Sequence, residues 1–273
     1  MNGSNGQCIK ISDSNLFYSI TGEGEPLVFI HGNFNDSRIW TNQIETFSKQ
    51  YKVICYDMRG YGKSDTPVSA FSQFEDLKVL LDSLGNRKVT LIGSSSGGSV
   101  ALDFTLKYPE YVKALVLAAP SINGCSYPIK LMIEGIKSVS ALKSKGFEAA
   151  VDKFINNPFW TYFIPSRNKE KARELVVQNI KTRKNFYSWN FKLAVPLKPY
   201  ASKRLNEIKV PVLIVLSDKD APFNMKVAAY INEGIINSKK VIISDCGHLP
   251  FVEKPEEFNK IVLDFLEKCE ILL

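Results

Sequence analysis

Short runs of β-branched and other apolar residues, bounded by turn formers, recur at residues 26–30, 52–56, 89–92, 114–118, 210–216 and 240–243. Runs that stay apolar at successive positions, with no polar face, fit parallel strands covered by helices on both sides. Between them the apolar period becomes helical. Phe71, Phe74, Leu77, Leu81 and Leu84 form one stripe that stops at Gly85, a residue suited to the left-handed conformation that ends helices. The last segment opens at Pro255 and aligns Phe258, Ile261, Val262, Phe265 and Leu266. Its proline sits in the first turn, where a missing N–H costs no hydrogen bond. This alternation predicts an α/β fold: a doubly wound sheet with helices on both faces, which binds ligands beyond the carboxyl ends of its strands.

The rhythm breaks after Pro120 and resumes at Val210. The interval has helical spacing at 129–142, 146–155 and 169–180, and a dense aromatic set: Phe154, Phe159, Trp160, Tyr162, Phe163, Phe186, Tyr187, Trp189 and Phe191. Each ring singly could pack the insert onto the main domain. As a group they imply an apolar surface over a cavity. The expected organisation is a core domain of residues 1–120 and 208–273, with a helical cap, or lid, of residues 121–207.

Composition narrows the class. The 273 residues are 45% hydrophobic and 23% charged, with 16 Gly and 13 Pro, which excludes disordered, collagen-like and repeat architectures. No apolar run approaches the roughly 18 residues of a membrane span. Residues 1–7 are polar and lack the basic and apolar regions of a signal peptide, so a cytoplasmic location is expected. Cys8, Cys55, Cys125, Cys246 and Cys269 are scattered, without CxxC spacing, and read mostly as small core residues; no disulfide framework, metal or cofactor is expected. Net charge is +7, and residues 121–207 carry 16 Lys+Arg against 6 Asp+Glu. With no Lys/Arg block and no nucleic-acid motif, these charges read as solvated helix faces, so the partner expected is a small-molecule substrate, not nucleic acid.

Gly93-Ser94-Ser95-Ser96-Gly97 joins the strand at 89–92 to a helical stretch at 99–107, the context of a nucleophile elbow. A tight strand-to-helix turn needs small residues two before and two after its centre, and of the three serines Ser95 alone has glycine at both. The following helix directs its N-terminal dipole at that point. A serine hydroxyl needs a base. Two histidines are present, His31 and His248, both after predicted strands. The chain order of this motif class, serine, acid, histidine, selects His248, which must be neutral to take a proton. The acid should follow a strand between them. Asp218 and Asp220 follow 210–216, whereas 120–127 holds no acid; Asp220 is chosen, with Asp218 as a turn residue. The oxyanion donors would be the backbone amides of Ser96 and of Asn33, with Phe34 as second choice, and His31 then shapes its loop.

Here the sequence resembles the α/β-hydrolase superfamily. His31-Gly32-Asn33 is similar to its oxyanion loop and Asp57-Met58-Arg59-Gly60-Tyr61-Gly62-Lys63-Ser64 to its DxRGxGxS turn. Tyr108-Pro109-Glu110, Gly247-His248, Glu253-Lys254-Pro255 and Phe258 match further landmarks. The family usually has glycine three residues before the acid, where this chain has Ser217. The resemblance implies an eight-stranded, mostly parallel sheet with the cap inserted after the sixth strand. Serine at the nucleophile position argues against haloalkane dehalogenase and epoxide hydrolase activity. The expected function is a serine hydrolase of a carboxylic ester or thioester, small to medium and largely apolar. The alternatives are a carbon–carbon bond hydrolase or cofactor-free perhydrolase on the same triad and, from another class, a ligand-binding receptor.

Overall fold

The computed structural model describes residues 6–11 and 13–271, so residues 1–5 of the polar N-terminal segment lie outside the described part. Its centre is an eight-stranded sheet in the order β1-β2-β4-β3-β5-β6-β7-β8. The strands are β1 (Gln7–Ile11), β2 (Ser14–Thr21), β3 (Pro26–Ile30), β4 (Lys52–Tyr56), β5 (Val89–Ser94), β6 (Val112–Ala118), β7 (Val212–Ser217) and β8 (Ser238–Ile243). The helices are α1 (Thr41–Phe47), α2 (Gln73–Ser83), α3 (Ser96–Lys107), α4 (Ile129–Lys145), α5 (Phe147–Ile155), α6 (Glu170–Ile180), α7 (Pro222–Gly234), α8 (Pro250–Glu253) and α9 (Pro255–Ile271).

The six strands expected from continuous apolar runs are β3 to β8, all parallel. Along β3, Leu27 and Phe29 enter one core with Trp40, Phe47 and Phe258, while Val28 and Ile30 enter the other with Leu77, Leu81 and Phe104. Both faces of β3 to β7 need apolar side chains, which is why these strands do not alternate, whereas β8, at the far edge, exposes Lys239, Lys240 and Ile242. β1 and β2 pair antiparallel at one edge. β2 does alternate: Ser14, Leu16 and Tyr18 are buried, whereas Asn15 is exposed and Phe17 half-buried. That pattern is the mark of a strand covered on one face, and it contains no continuous apolar run.

From β3 the chain goes to β4 on one side, then crosses to β5 on the other. The sheet therefore reverses its winding between β3 and β5, and the crevice at their carboxyl ends is where such sheets bind ligands.

Residues 121–207 lie between β6 and β7 and contain α4, α5, α6 and several short 3₁₀ turns. Two buried asparagines tie them to the loops after β3 and β4. Asn179 Oδ1 accepts from Asp36 N–H at 3.0 Å; Asn185 accepts from Gly62 N–H at 2.8 Å and donates to Asp36 Oδ2 at 2.9 Å. α4 is oriented unusually. It buries Glu134, Ser138 and Ala141, with Glu134 held by Lys137 and Asn157, and leaves Ile129, Met132, Ile133 and Ile136 exposed. Among the described residues no helix is long and apolar enough to cross a membrane.

Candidate active site

Ser95 stands between the last residue of β5 and the first of α3, with φ 51° and ψ −118°, a backbone conformation that side chains other than glycine seldom adopt. Such strain costs on the order of 1–3 kcal/mol and persists where neighbours over-determine it. Here Ser95 N–H donates to Ala118 O at 3.0 Å, and Ser95 O accepts from the N–H groups of Gly98 at 2.9 Å and Ser121 at 3.0 Å. The two flanking glycines are obligatory for space. A Cβ on Gly93 would lie 2.6 Å from Gly97 O, and one on Gly97 would run into the carbonyls of Ile30 and His31. Ser94 points into the buried sheet, and Ser96 Oγ donates to Asn33 Oδ1 at 3.1 Å.

The loop after β7 brings Asp220 to His248, on the loop after β8. Asp220 Oδ2 is 2.8 Å from His248 Nδ1. Both residues are buried. Asp218, in contrast, is exposed, and its N–H donates to Ile243 O at 3.2 Å, so its part is in the turn. Ser217, where the related pattern has glycine, is fully buried and its hydroxyl accepts from Cys246 Sγ at 3.1 Å, which fits the larger residue into the turn.

Two contributions to this geometry were not anticipated from the sequence. Asn224, in the first turn of α7, donates to Asp220 Oδ1 at 2.6 Å. The insert also reaches the loop after β8: His248 N–H donates to Tyr162 O at 2.6 Å, and Lys169 pairs with Glu253 at 3.0 Å, whose other oxygen accepts from Gly247 N–H at 2.9 Å.

Ser95 and His248 line one cavity of about 510 Å³ between the sheet edge and the insert. No hydrogen bond joins Ser95 Oγ to the imidazole in this structure; such contacts are commonly longer without substrate than in the reacting complex. Of the aromatic set, Trp160, Tyr162, Phe163, Tyr187, Trp189 and Phe191 face the cavity, while Phe154 and Phe186 are core residues beneath Phe34. Among the described lining residues there is no Lys or Arg, and Asp103 is the one carboxylate.

Asn33 also lines the cavity, and its side-chain oxygen accepts from Tyr61 Oη at 2.6 Å as well as from Ser96. Ser96 is the first residue of α3, so its N–H has no partner within the helix. His31 is committed elsewhere. Its Nε2 accepts from Met58 N–H at 3.0 Å, so the proton sits on Nδ1, facing Gly32 O at 2.9 Å; burial pushes its pKa down and keeps it neutral. It joins the loops after β3 and β4. Asp57 does the same: its two carboxylate oxygens accept from Ser37 and Lys63 N–H, each at 2.8 Å.

The family model described as the alpha/beta hydrolase fold matches residues 25–255. The chain belongs to the α/β-hydrolase family. Among its relatives, a 2-hydroxy-6-oxononadienedioate/2-hydroxy-6-oxononatrienedioate hydrolase of Paraburkholderia phymatum is 31% identical, with 92% of this chain and 90% of that one covered. A 2-hydroxy-6-oxo-6-phenylhexa-2,4-dienoate hydrolase of Comamonas testosteroni is 28% identical, over 94% and 93%. Among solved structures, MGS-M2, an alpha/beta hydrolase enzyme from a Medee basin deep-sea metagenome library, superposes with a TM-score of 0.75 at 28% identity, over 96% of this chain and 97% of that one. An α/β-hydrolase enzyme is thus the setting for the chemistry of this cavity.

Proposed function

We propose that this α/β hydrolase is a serine hydrolase of carboxylic esters or thioesters whose acyl part is largely apolar and carries no anionic group. The observation that supports it is the cavity: Ser95 and His248 share a wall that is mostly aromatic and aliphatic and has no cationic side chain among the described residues. Ser95 Oγ attacks the carbonyl carbon while His248 Nε2 takes the hydroxyl proton. Asp220 holds Nδ1–H and stabilises the imidazolium. The amides of Ser96 and Asn33 donate to the oxyanion, and the α3 dipole favours the same charge. The bond to the leaving group breaks as His248 returns the proton to it. Water repeats the sequence on the acyl-enzyme, losing a proton to His248, and the acid departs with Ser95 restored. Residues 121–207 serve as the cap that excludes bulk water.

A second reading, hydrolysis of a carbon–carbon bond, has the support of kinship, and the relatives favour it over the ester reading. The compound in the name of the Paraburkholderia phymatum relative holds carboxylates, an enol and a ketone but no ester, so its hydrolysis must break a carbon–carbon bond. That compound is a dianion, and the absence of Lys or Arg from the described cavity lining is what favours the ester reading for this chain.

Turnover of aryl esters, a vinylogous diketone acid and peracid formation from hydrogen peroxide, compared on one preparation, decides between them. Ester turnover lost in Ser95→Ala supports the first reading. Faster diketone cleavage supports the second, and saturable binding with no turnover of any of them favours a receptor. Fluorophosphonate labelling with peptide mapping fixes the nucleophile; modification of Ser94 or Ser96 instead of Ser95 would overturn the assignment.

A further inference from the structure

One stripe of α3, Ser96, Ser99, Val100 and Asp103, forms a wall of the cavity. Asp103 is 2% exposed. Both hydrogen bonds that it accepts go to one oxygen: Leu197 N–H at 3.0 Å and Asn123 Nδ2 at 2.8 Å both donate to Oδ2. Oδ1 is buried and has no partner. A second acceptor on the wall, Gln73 Oε1, is in the same condition, and its amide cannot be turned round because Nε2 donates to Arg59 O at 3.1 Å. The indole N–H groups of Trp160 and Trp189 are also unpaired there, but neutral groups cost less to leave unsatisfied than a carboxylate.

Asp103 does tie together the start and the end of the insert, through Asn123 and Leu197. That duty occupies one neutral-capable oxygen, and an asparagine would discharge it equally well. It explains neither the charge nor the free oxygen. Burial pushes this carboxyl up to about 6, against the opposing pull of its two hydrogen bonds and of the Arg204 charge. A cation with hydrogens to donate, placed against Oδ1, supplies the missing partner and the missing charge together.

We propose that Asp103 is a substrate-specificity residue, forming a subsite for a protonated amine at the end of the substrate remote from the carbonyl that Ser95 attacks. The eight residue steps from Ser95 to Asp103 place the two about 12 Å apart along α3, which sets the length of the acyl chain. This rests on the hydrolase reading for the identity of the reacting end. The anionic ends of dioate substrates would meet Asp103 with like charge.

The test compares kcat/KM for aryl esters of alkanoic acids with those of ω-aminoalkanoic acids of the same, graded lengths. At the matching length the ammonium ester should be favoured by roughly tenfold or more, the worth of one charge-assisted hydrogen bond. The preference should vanish in Asp103→Asn, whose side-chain oxygen can still serve Leu197 and Asn123. No preference in the wild type, or the same preference in Asp103→Asn, overturns the proposal. A binding readout separates this from failure of the hydrolase reading and needs no Asp103 variant. An alkylammonium should raise the melting temperature of Ser95→Ala more than the alkanol of equal length, whether or not any ester is turned over. Equal shifts with both compounds overturn the subsite.

Discussion

Asp220 is gripped on both oxygens: His248 Nδ1 lies 2.8 Å from Oδ2, while Oδ1 accepts from Ala221 N–H and Asn224 Nδ2, each at 2.6 Å. The carboxylate cannot rotate away from the imidazole without breaking two further bonds. Asp220→Asn should therefore lower kcat by about 10³- to 10⁴-fold, since an amide can hold the ring in the wrong tautomer. Asn224→Ala removes one hydrogen bond to a charged group and should lower kcat/KM by roughly tenfold. Steady-state kinetics on an ester that the wild type turns over measure both, and an Asn224→Ala protein of wild-type rate would remove Asn224 from the arrangement.

The three neighbouring serines separate by labelling. Ser95→Ala should lose fluorophosphonate modification and about 10³-fold or more of turnover. Ser94→Ala should keep the label on residue 95, because the Ser94 hydroxyl is buried in β5 without a partner. Mass spectrometry of the labelled peptides checks both.

Asn185 should prove to be a stability residue. It is 1% exposed and bridges Gly62 N–H, Asp36 Oδ2 and Asn179 O. Asn185→Ala leaves Gly62 N–H unpaired and removes one donor each from Asp36 Oδ2, which keeps Arg38, and Asn179 O, which keeps Thr182 N–H, with an expected loss of about 1–3 kcal/mol in denaturant unfolding. A midpoint within error of wild type would contradict this.

Asp103 makes stability depend on pH in a stated direction. Its carboxyl sits at about 6 when folded, against 3.8 for an ordinary aspartate. Between those values the folded chain holds a proton that the unfolded chain has released. The stability from this group is therefore fully present below the unfolded value and is lost as pH rises through the folded one. Asp103→Asn does not titrate, and the similarly raised Asp76 is common to both proteins. The melting temperature of wild type relative to Asp103→Asn should rise as pH falls from about 7 to about 4; a constant difference would count against it.

The sequence made the framework legible for a physical reason. Strands buried on both faces need unbroken apolar runs, and an elbow needs glycines at fixed offsets, so β3 to β7 and the Ser95 turn announce themselves locally. Asp220 and His248 follow from motif order plus the loops that end strands. What stayed hidden depends on partners distant in the chain. Asp103 looks like any polar position in a helix until Asn123 and Leu197 come to it. Asn224 is an unremarked residue of a first helical turn, and Asn185 matters because of Asp36 and Gly62. β2 is less legible because its alternation marks one covered face and gives no unbroken run. Several insert aromatics proved to be cavity walls, and Phe154 and Phe186 proved to be packing, a division that composition alone cannot make.

The carbonyl of Tyr162, part of the roof over the cavity, is also what steadies the backbone of His248. Without that carbonyl, the loop that carries His248 would lose this hydrogen bond. The position of the imidazole is thus set partly by a stretch of chain more than eighty residues away from it, and the insert is a structural partner of the loop after β8 as well as a wall.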